Sequence, residues 1–189
     1  MPRLKAVQPE TTNGKVKEML DAVNSKLGMI PNLIRTFANS PAVLQAYLDF
    51  SGALAGGVLT PTLREQIALV VSQTNQCEYC LSAHSAIGKM LGLSQEEILD
   101  NRQATSSNPK TEAALQFSKR VAEKRGFISD DEFKQLQSAG YSDEEIAEII
   151  ANISLNLFTN YFNHIAETDI DFPLAAAIKT PKKAAACSC

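Results

Sequence analysis

Two cysteines and a histidine lie close together near the middle of the sequence: Cys77, Cys80 and His84. On a helix, residues three or four positions apart share a face, so this spacing predicts that the two thiols and the imidazole are neighbours. If the helix begins at Cys77, its positive end stabilises a thiolate there, which is the reactive form of cysteine. His84 is suited to move a proton to or from Cys80, because imidazole titrates near neutral pH.

Such a pair of thiols has the parts that peroxide reduction needs. One thiolate attacks the O–O bond and becomes a sulfenic acid, and the neighbouring thiol converts it to a disulfide before further oxidation. A base must deprotonate the attacking thiol, and an acid must protonate the departing alkoxide. The pattern therefore predicts a redox site built on Cys77, Cys80 and His84.

Two other interpretations of these residues stay open at this point. His84 could be a core histidine with its hydrogen bonds satisfied, because it belongs to an inward stripe with the cysteines, Ile87 and Leu91. Zinc is the other, with Cys77, Cys80, His84 and one C-terminal cysteine as ligands. Structural zinc sites usually draw paired ligands from two separate ordered segments, which argues against it.

Glu65 is the carboxylate of interest upstream of the cysteines. It lies opposite the apolar stripe of its own helix, beside the small residues Ala68 and Ser72. A solvated helix face explains this position. The functional interpretation is a second, semi-buried face that packs on the helix of the cysteines.

The elements that position these residues are predicted to be helices. Apolar residues recur with the helical period over residues 16–27, and Thr60-Pro61 and Asn108-Pro109 are typical helix starts. Three capping boxes open further helices: Ser94 with Glu97, Ser129 with Glu132, and Ser142 with Glu145. The longest apolar stripe follows the last box, at Ile146, Ile149, Ile150, Ile153, Leu157, Tyr161 and Ile165. No segment alternates like a strand, so the fold class is predicted to be all-α.

Composition narrows the function classes. The chain has 189 residues, 44% of them apolar, which suits a single domain with a core of its own. A formal charge of −3 without a basic run argues against nucleic acid or an anionic membrane as the main partner. No segment resembles a signal peptide or a membrane span, and two tight cysteine pairs are not the dispersed pattern of a secreted disulfide scaffold, so we expect a cytoplasmic protein.

The four residues together resemble a known signature. Glu65, eleven intervening residues and then Cys77, Cys80 and His84 match the peroxidase motif of the AhpD-like branch of the carboxymuconolactone decarboxylase family. Residues 28–33 with Ser40-Pro41 resemble the usual lead-in, and residues 156–173 resemble the closing segment of peroxidase-related members. The resemblance covers most of residues 28–173.

The resemblance implies an AhpD-like bundle of about seven to nine helices, assembled as a dimer, trimer or hexamer. It implies that Cys80 is the peroxidatic nucleophile, that Cys77, nearer solvent, is the resolving cysteine, and that His84 and Glu65 form a proton relay. The best-known members carry a histidine before the second cysteine, where this chain has Tyr79. A phenol with a pKa of about 10 is a poor proton shuttle at neutral pH.

Three further residues are candidate auxiliaries. His164 falls in the closing segment, where it could line the pocket, fix a subunit contact or simply pack. Cys187 and Cys189 lie in residues 179–189, which we predict to be a flexible tail after a helical domain of residues 1–178 whose first ten residues form an extended arm. This tail dithiol could carry electrons to a Cys77–Cys80 disulfide, form a double prenylation signal, or have no role.

The sequence therefore predicts a thiol-dependent hydroperoxide reductase. We expect it to use a Cys77–Cys80 disulfide, no metal and no bound cofactor, and to take electrons from an external thiol or lipoyl-bearing donor. Two alternatives from other classes are a redox-sensing or zinc-binding interaction module without turnover, and a lactone decarboxylase of the kind that names the family. Decarboxylation of a lactone needs acid–base groups and no dithiol, so the cysteines argue against the latter.

Overall fold

The computed structural model describes residues 1–178, and the regular secondary structure of this part of the chain is entirely helical. A short 3-10 helix at Pro9–Thr11 precedes nine α-helices. These are α1 (Gly14–Leu27), α2 (Asn32–Phe37), α3 (Pro41–Ala55), α4 (Pro61–Thr74), α5 (Glu78–Met90), α6 (Gln95–Arg102), α7 (Pro109–Glu123), α8 (Asp130–Ser138) and α9 (Asp143–Ala166). The predicted all-α class is confirmed, and no strand occurs within residues 1–178.

The helix starts follow the local signals in the sequence. Ser94, Ser129 and Ser142 each accept a hydrogen bond from the backbone of a glutamate three residues later, whose carboxylate bonds back, so all three capping boxes form. Thr60 accepts from the N–H of Leu63, and Pro61 follows it as the first residue of α4. Each of these contacts satisfies backbone donors that a helix leaves open at its beginning.

Helix α4 lies at the centre of the molecule. It packs against α5, α6, α7 and α9, and its residues Ile67, Leu69, Val70 and Val71 are fully buried. Seven consecutive residues, 66–72, are buried, so every side of this part of the helix faces another element. Glu65 stands on this helix, so its carboxylate is held by the most enclosed element of the fold.

Two groups of buried side chains fill the space around α4. One joins α4 to α7, α8 and the first half of α9. The other joins α1, α2 and α3 to α5, and both Cys77 and Cys80 belong to it. The candidate redox residues therefore lie inside the amino-terminal core and not at the edge of the molecule.

The second half of α9 differs from the prediction. Ile146, Ile149 and Ile153 are buried as expected, but Tyr161 and Ile165 of the predicted stripe are 52% and 67% exposed. Steps of four residues along a helix turn by 400°, so each step drifts about 40° from the starting face. Asparagines occupy the buried face instead, at Asn152, Asn156, Asn160 and Asn163.

The two ends of the described chain meet over this framework. The backbone N–H of Arg3 donates to the carbonyl of Ala166 at 2.8 Å, and the Asp171 carboxylate accepts from the N–H of Asn32 at 2.6 Å. Further on, the N–H of Ala175 donates to Ser82 Oγ at 3.2 Å. Residues 167–178, which we call the strap, thus run back across α2 and α5. Among residues 1–178, no helix combines the length and the apolar character that crossing a bilayer requires.

Candidate functional site

The connection between α4 and α5 places the two cysteines. Gln76 takes a left-handed conformation with φ of 56°, which ends the turn after α4, and Cys77 is the residue that precedes α5. The N–H of Cys77 donates to the carbonyl of Ser72 at 2.9 Å, so the turn is closed onto α4. Cys80 then falls in the first turn of α5, where the helix dipole favours negative charge.

The two thiols are not joined in a disulfide, and each shifts the pKa of the other, in opposite directions. The hydrogen bond from Cys77 is the largest influence on Cys80; burial opposes it, and the charge of His84 adds to it, so the pKa of Cys80 falls to about 6. The same hydrogen bond, reinforced by burial, raises the pKa of Cys77 far above its ordinary value. Cys80 is therefore the thiolate of the pair and Cys77 the proton donor.

His84 and Glu65 form the second pair of the site. His84 Nδ1 lies 2.7 Å from Glu65 Oε2, and the two side chains are only 20% and 18% exposed. A carboxylate accepts and does not donate, so Nδ1 carries a proton in this contact and Nε2 is the nitrogen left to exchange one. Burial disfavours the charged imidazole, but the charges of Glu65 and Cys80 outweigh it, and the pKa of His84 is raised.

An amide from α9 completes the surroundings of the thiolate. Asn163 Nδ2 donates to Cys80 Sγ at 3.2 Å, and the residue is only 4% exposed. One turn earlier, Asn160 bridges Ser72 Oγ and the side chain of Asn75, which steadies the connection before Cys77. Sequence reasoning missed both asparagines. Their helical spacing with Asn152 and Asn156 was the one signal that could have found them.

Tyr47 on α3 is a second residue that the sequence did not single out. Burial, followed by the charges of Glu65 and Cys80, raises its pKa to about 12, so its phenol is neutral beside both groups. Its ring packs on Phe37 with centroids 5.0 Å apart. An aromatic residue on an apolar helix face is ordinarily read as core, and nothing in the sequence distinguishes this one.

Tyr79 and His164 have structural partners. The N–H of Leu33 donates to the Tyr79 hydroxyl at 3.1 Å, which joins α5 to the start of α2. Burial is the main reason why the pKa of Tyr79 lies above its usual value. His164 is exposed, and its Nε2 donates to the carbonyl of Asn75 at 2.9 Å, so it anchors the α4–α5 connection from outside. Cys187 and Cys189 lie outside the described residues.

Access to the thiols differs from the expectation. Cys77 was expected nearer solvent, yet both cysteines are 2% exposed. They share their core with Met19, Leu20 and Val23 of α1 and with Leu33 and Phe37 of α2.

Another expectation fails at the far end of α5, where Leu91 is 41% exposed and leaves the inward stripe. Among residues 1–178, no three histidine, cysteine or carboxylate side chains are grouped so as to hold a metal ion.

Comparison with known proteins finds relatives that share parts of this chain. Residues 41–120, which contain Glu65, both central cysteines and His84, match the model of the carboxymuconolactone decarboxylase family. A curated protein of uncharacterised function from Haemophilus influenzae is 50% identical to this chain over 46 residues. That match spans 24% of this chain and 41% of the relative's own length.

Solved structures share the fold over most of the chain. A peroxidase-related protein from Ralstonia eutropha JMP134, described as an alkylhydroperoxidase AhpD core, superposes with a TM-score of 0.80 at 24% identity, over 90% of this chain and 92% of its own. A peroxidase-related protein from Silicibacter sp. TM1040 gives 0.77 at 25% identity, over 88% and 91%. A variant of the debrominase Bmp8 in complex with 2,3,4-tribromopyrrole gives 0.78 at 22% identity, over 89% and 91%. Residues 41–120 are thus similar to the carboxymuconolactone decarboxylase family, and most of the chain shares the fold of these AhpD-like and peroxidase-related structures.

Proposed function

We propose that the protein is a thiol-dependent hydroperoxide reductase in which Cys80 attacks the peroxide. The observation that carries the proposal is the pairing of a low-pKa thiolate with a hydrogen-bonded second thiol and a His84–Glu65 pair in one buried site. Each of these groups has a step to perform in peroxide reduction, and none of them is needed merely to pack the core. The peroxidase-related names of two structural relatives agree with this choice.

In the first step, the Cys80 thiolate attacks the terminal oxygen of R–O–OH. A bond forms between Sγ and that oxygen while the O–O bond breaks, so sulfur loses two electrons and the peroxide gains them. The products are the Cys80 sulfenic acid and the alkoxide RO⁻. His84, whose pKa is raised by Glu65, supplies the proton that turns the alkoxide into an alcohol.

In the second step, Cys77 attacks the sulfur of the sulfenic acid. The Cys77–Cys80 disulfide forms as the S–O bond breaks. The departing hydroxide takes the proton of the Cys77 thiol and leaves as water. Because Cys77 directly precedes α5 and Cys80 lies in its first turn, resolution needs little movement of the backbone. An external dithiol, of the simple thiol or lipoyl type, then reduces the disulfide and returns both cysteines to the starting state.

The test is rapid mixing of the reduced protein with cumene hydroperoxide, with products mapped by mass spectrometry. All variants are made with Cys187 and Cys189 replaced by serine, so that only the central thiols report. We expect a Cys77–Cys80 disulfide in this background, a sulfenic acid at Cys80 in Cys77→Ser, and no reaction in Cys80→Ser. Thiols that react no faster than free cysteine would rule the proposal out.

Two comparisons complete the experiment. The chain with its natural C-terminal cysteines is assayed beside the serine background with several reductants, and equal turnover with all of them would refute an electron-carrying role for Cys187 and Cys189. The same reduced protein is mixed with 2,3,4-tribromopyrrole, because a debrominase shares the fold. Loss of bromide without reaction toward hydroperoxides would assign the thiolate to a different substrate class.

A further inference from the structure

The four buried asparagines of α9 are not equivalent. Asn152 Nδ2 donates to the carbonyl of Glu148 and Asn156 Nδ2 to the carbonyl of Asn152, so both amides bond within their own helix. Asn163 instead directs its Nδ2 at Cys80 Sγ, 3.2 Å away on another helix. Buried asparagine side chains in helices often donate to a carbonyl one turn earlier, as Asn152 and Asn156 do. The amide of Asn163 donates to the reactive sulfur of another helix instead.

The other end of the same amide has no partner. Within residues 1–178, Asn163 Oδ1 is buried and accepts no hydrogen bond. An unpaired buried acceptor is unfavourable, and such atoms in native proteins call for an explanation from a ligand, an ion or a reaction. The acceptor belongs to the amide group that contacts the reactive sulfur, so a group bound at the sulfur is close enough to supply the missing donor.

We propose that Asn163 is a catalytic residue of the hydroperoxide reaction, holding the Cys80 thiolate through Nδ2 and binding the O–H of the hydroperoxide through Oδ1. This proposal rests on the proposed function. In a hydroperoxide, the terminal oxygen is the atom that the thiolate attacks. The same oxygen carries the hydrogen, so it is also a hydrogen-bond donor. A single amide then fixes both reactants: the sulfur on its nitrogen side and the oxygen to be attacked on its oxygen side.

The hydrogen-bond partners stay matched through the reaction. The attacked oxygen keeps its hydrogen when the bond to Sγ forms, so the product Cys80–S–O–H still donates to Oδ1. The electron pair of the O–O bond leaves with the alkoxide, which takes its proton from His84 and not from Asn163. Asn163 therefore gains or loses no proton, and its contribution is to orient and to stabilise.

Two substitutions separate the two halves of the amide. Asn163→Leu removes both the donor and the acceptor at similar volume, and Asn163→Asp keeps acceptor oxygens but loses the N–H. Asn152→Leu is the matched control, because it removes an amide of the same helix that bonds only within that helix. Near-ultraviolet and far-ultraviolet circular dichroism verify that each variant is folded.

Two measurements are made on each variant. The first is the pKa of Cys80, from thiolate absorbance in the absence of any peroxide. The second is the ratio of the rate constants for cumene hydroperoxide and for iodoacetamide at a pH where Cys80 is fully ionised. Iodoacetamide reports on the nucleophile and its accessibility, but it has no O–H group for Oδ1 to bind.

We expect the pKa of Cys80 to rise in both Asn163 variants, and the rate ratio to fall about tenfold in Asn163→Leu, as for the loss of one hydrogen bond. The ratio should fall less in Asn163→Asp, and Asn152→Leu should match the wild type in both measurements. An unchanged pKa, or an unchanged ratio in Asn163→Leu, would overturn the proposal. If the wild type fails to reduce hydroperoxides, the proposed function falls, whereas the pKa measurement still decides whether Asn163 holds the thiolate.

Discussion

The two cysteines of the site are three residues apart in sequence, yet their chemistry is opposite. Cys80 accepts hydrogen bonds from Cys77 and from Asn163 and faces the charge of His84, whereas the Cys77 thiol keeps its proton and donates it in the hydrogen bond to Cys80. Whichever thiol collects the donors becomes the thiolate, because each donor stabilises the charged form. The asymmetry therefore comes from the neighbours that α9 and α5 supply and not from the cysteines themselves.

The hydrogen bond from Cys77, which lowers the pKa of Cys80 most, can be removed by a single substitution. Cys77→Ala deletes the hydrogen bond that lowers the pKa of Cys80, and Cys77→Ser keeps a donor at the same position. In the wild type, the rate of Cys80 oxidation should rise with pH through about 6 and then level off. In Cys77→Ala this rise should move to higher pH, and in Cys77→Ser it should move less. Stopped-flow rates against pH test this, and equal midpoints in all three proteins would contradict it.

Glu65 controls the pKa of His84, the proton donor of the site. Burial lowers the pKa of His84 and Glu65 raises it, so Glu65→Gln should leave His84 with a lower pKa. The imidazole then loses its proton at lower pH, and the alkaline decline of the peroxide rate should move to lower pH as well. The rate against pH in Glu65→Gln is compared with Glu144→Gln, an exposed change of the same charge on α9. A decline at the same pH in both variants would show that Glu65 does not act through His84.

At the scale of elements, the loop between α3 and α4 is fastened to α9 by one carboxylate. Glu148 accepts from the N–H of Val58 at 2.8 Å and from the N–H of Leu59 at 3.0 Å. The carboxylate lies against Gly57, where an added Cβ would overlap it. This contact positions the start of α4, and with it Glu65, relative to the helix that carries Asn163.

A pair of glycine substitutions tests this attachment. Gly57→Ala should displace the Glu148 carboxylate and lower the free energy of unfolding by about 1–2 kcal/mol, the range for hydrogen bonds lost at a buried or charged partner. Gly56→Ala is the control, because its new Cβ would come no closer than 3.6 Å to a neighbouring atom. Urea unfolding followed by circular dichroism measures both. Equal midpoints for the two variants would contradict the role given to Glu148.

The elements also show where sequence reasoning succeeds. Capping residues act within one helical turn, so the starts of α4, α6, α8 and α9 were predicted correctly. Which face of α9 is buried depends on the helices packed around it. The prediction followed the apolar residues in steps of four and missed the rotation that turns Asn160 and Asn163 inward.

The residues of the candidate site also fall into two groups, those that local sequence patterns predicted and those that only the packing of helices reveals. Cys77, Cys80 and His84 were found because local helical spacing brings them together, and Glu65 was added by a family resemblance. The geometry then shows that Glu65 and His84 are in contact across two helices. Asn163 and Tyr47 come from distant elements with no motif of their own, and only the packing of α3 and α9 against α5 reveals them.

At the scale of the whole molecule, one face of α9 is buried and the opposite face is exposed to solvent. Its buried asparagines face the site, while Phe158, Tyr161 and Ile165 form an outer apolar stripe that is 42%, 52% and 67% exposed. Phe50, on helix α3, which packs against α9, is 40% exposed as well. Exposed apolar residues on one helix face are typical of an interface, and a twofold pairing would cover the same stripe on both subunits at once. We expect a second copy of this chain to cover it.

One charge on this stripe should separate the subunits. Ile165→Arg places a cation in the proposed interface, and Phe127→Arg is the control, since Phe127 is 83% exposed in the connection between α7 and α8. Light scattering during size-exclusion chromatography should show a dimer or larger assembly for the wild type and the control, and a smaller species for Ile165→Arg. A monomeric wild type, or an unchanged mass for Ile165→Arg, would reject this interface.

The enclosure of Cys80 beneath α1 and α2 has a consequence for the speed of the protein. A sulfur that is 2% exposed meets a bulky reactant only in the fraction of molecules that are locally open, so the apparent rate constant is the intrinsic one multiplied by that fraction. Conditions that favour local opening without global unfolding, such as low concentrations of urea, should then accelerate the reaction. The gain should be larger for cumene hydroperoxide than for hydrogen peroxide, which makes the amino-terminal helices a size-selective gate.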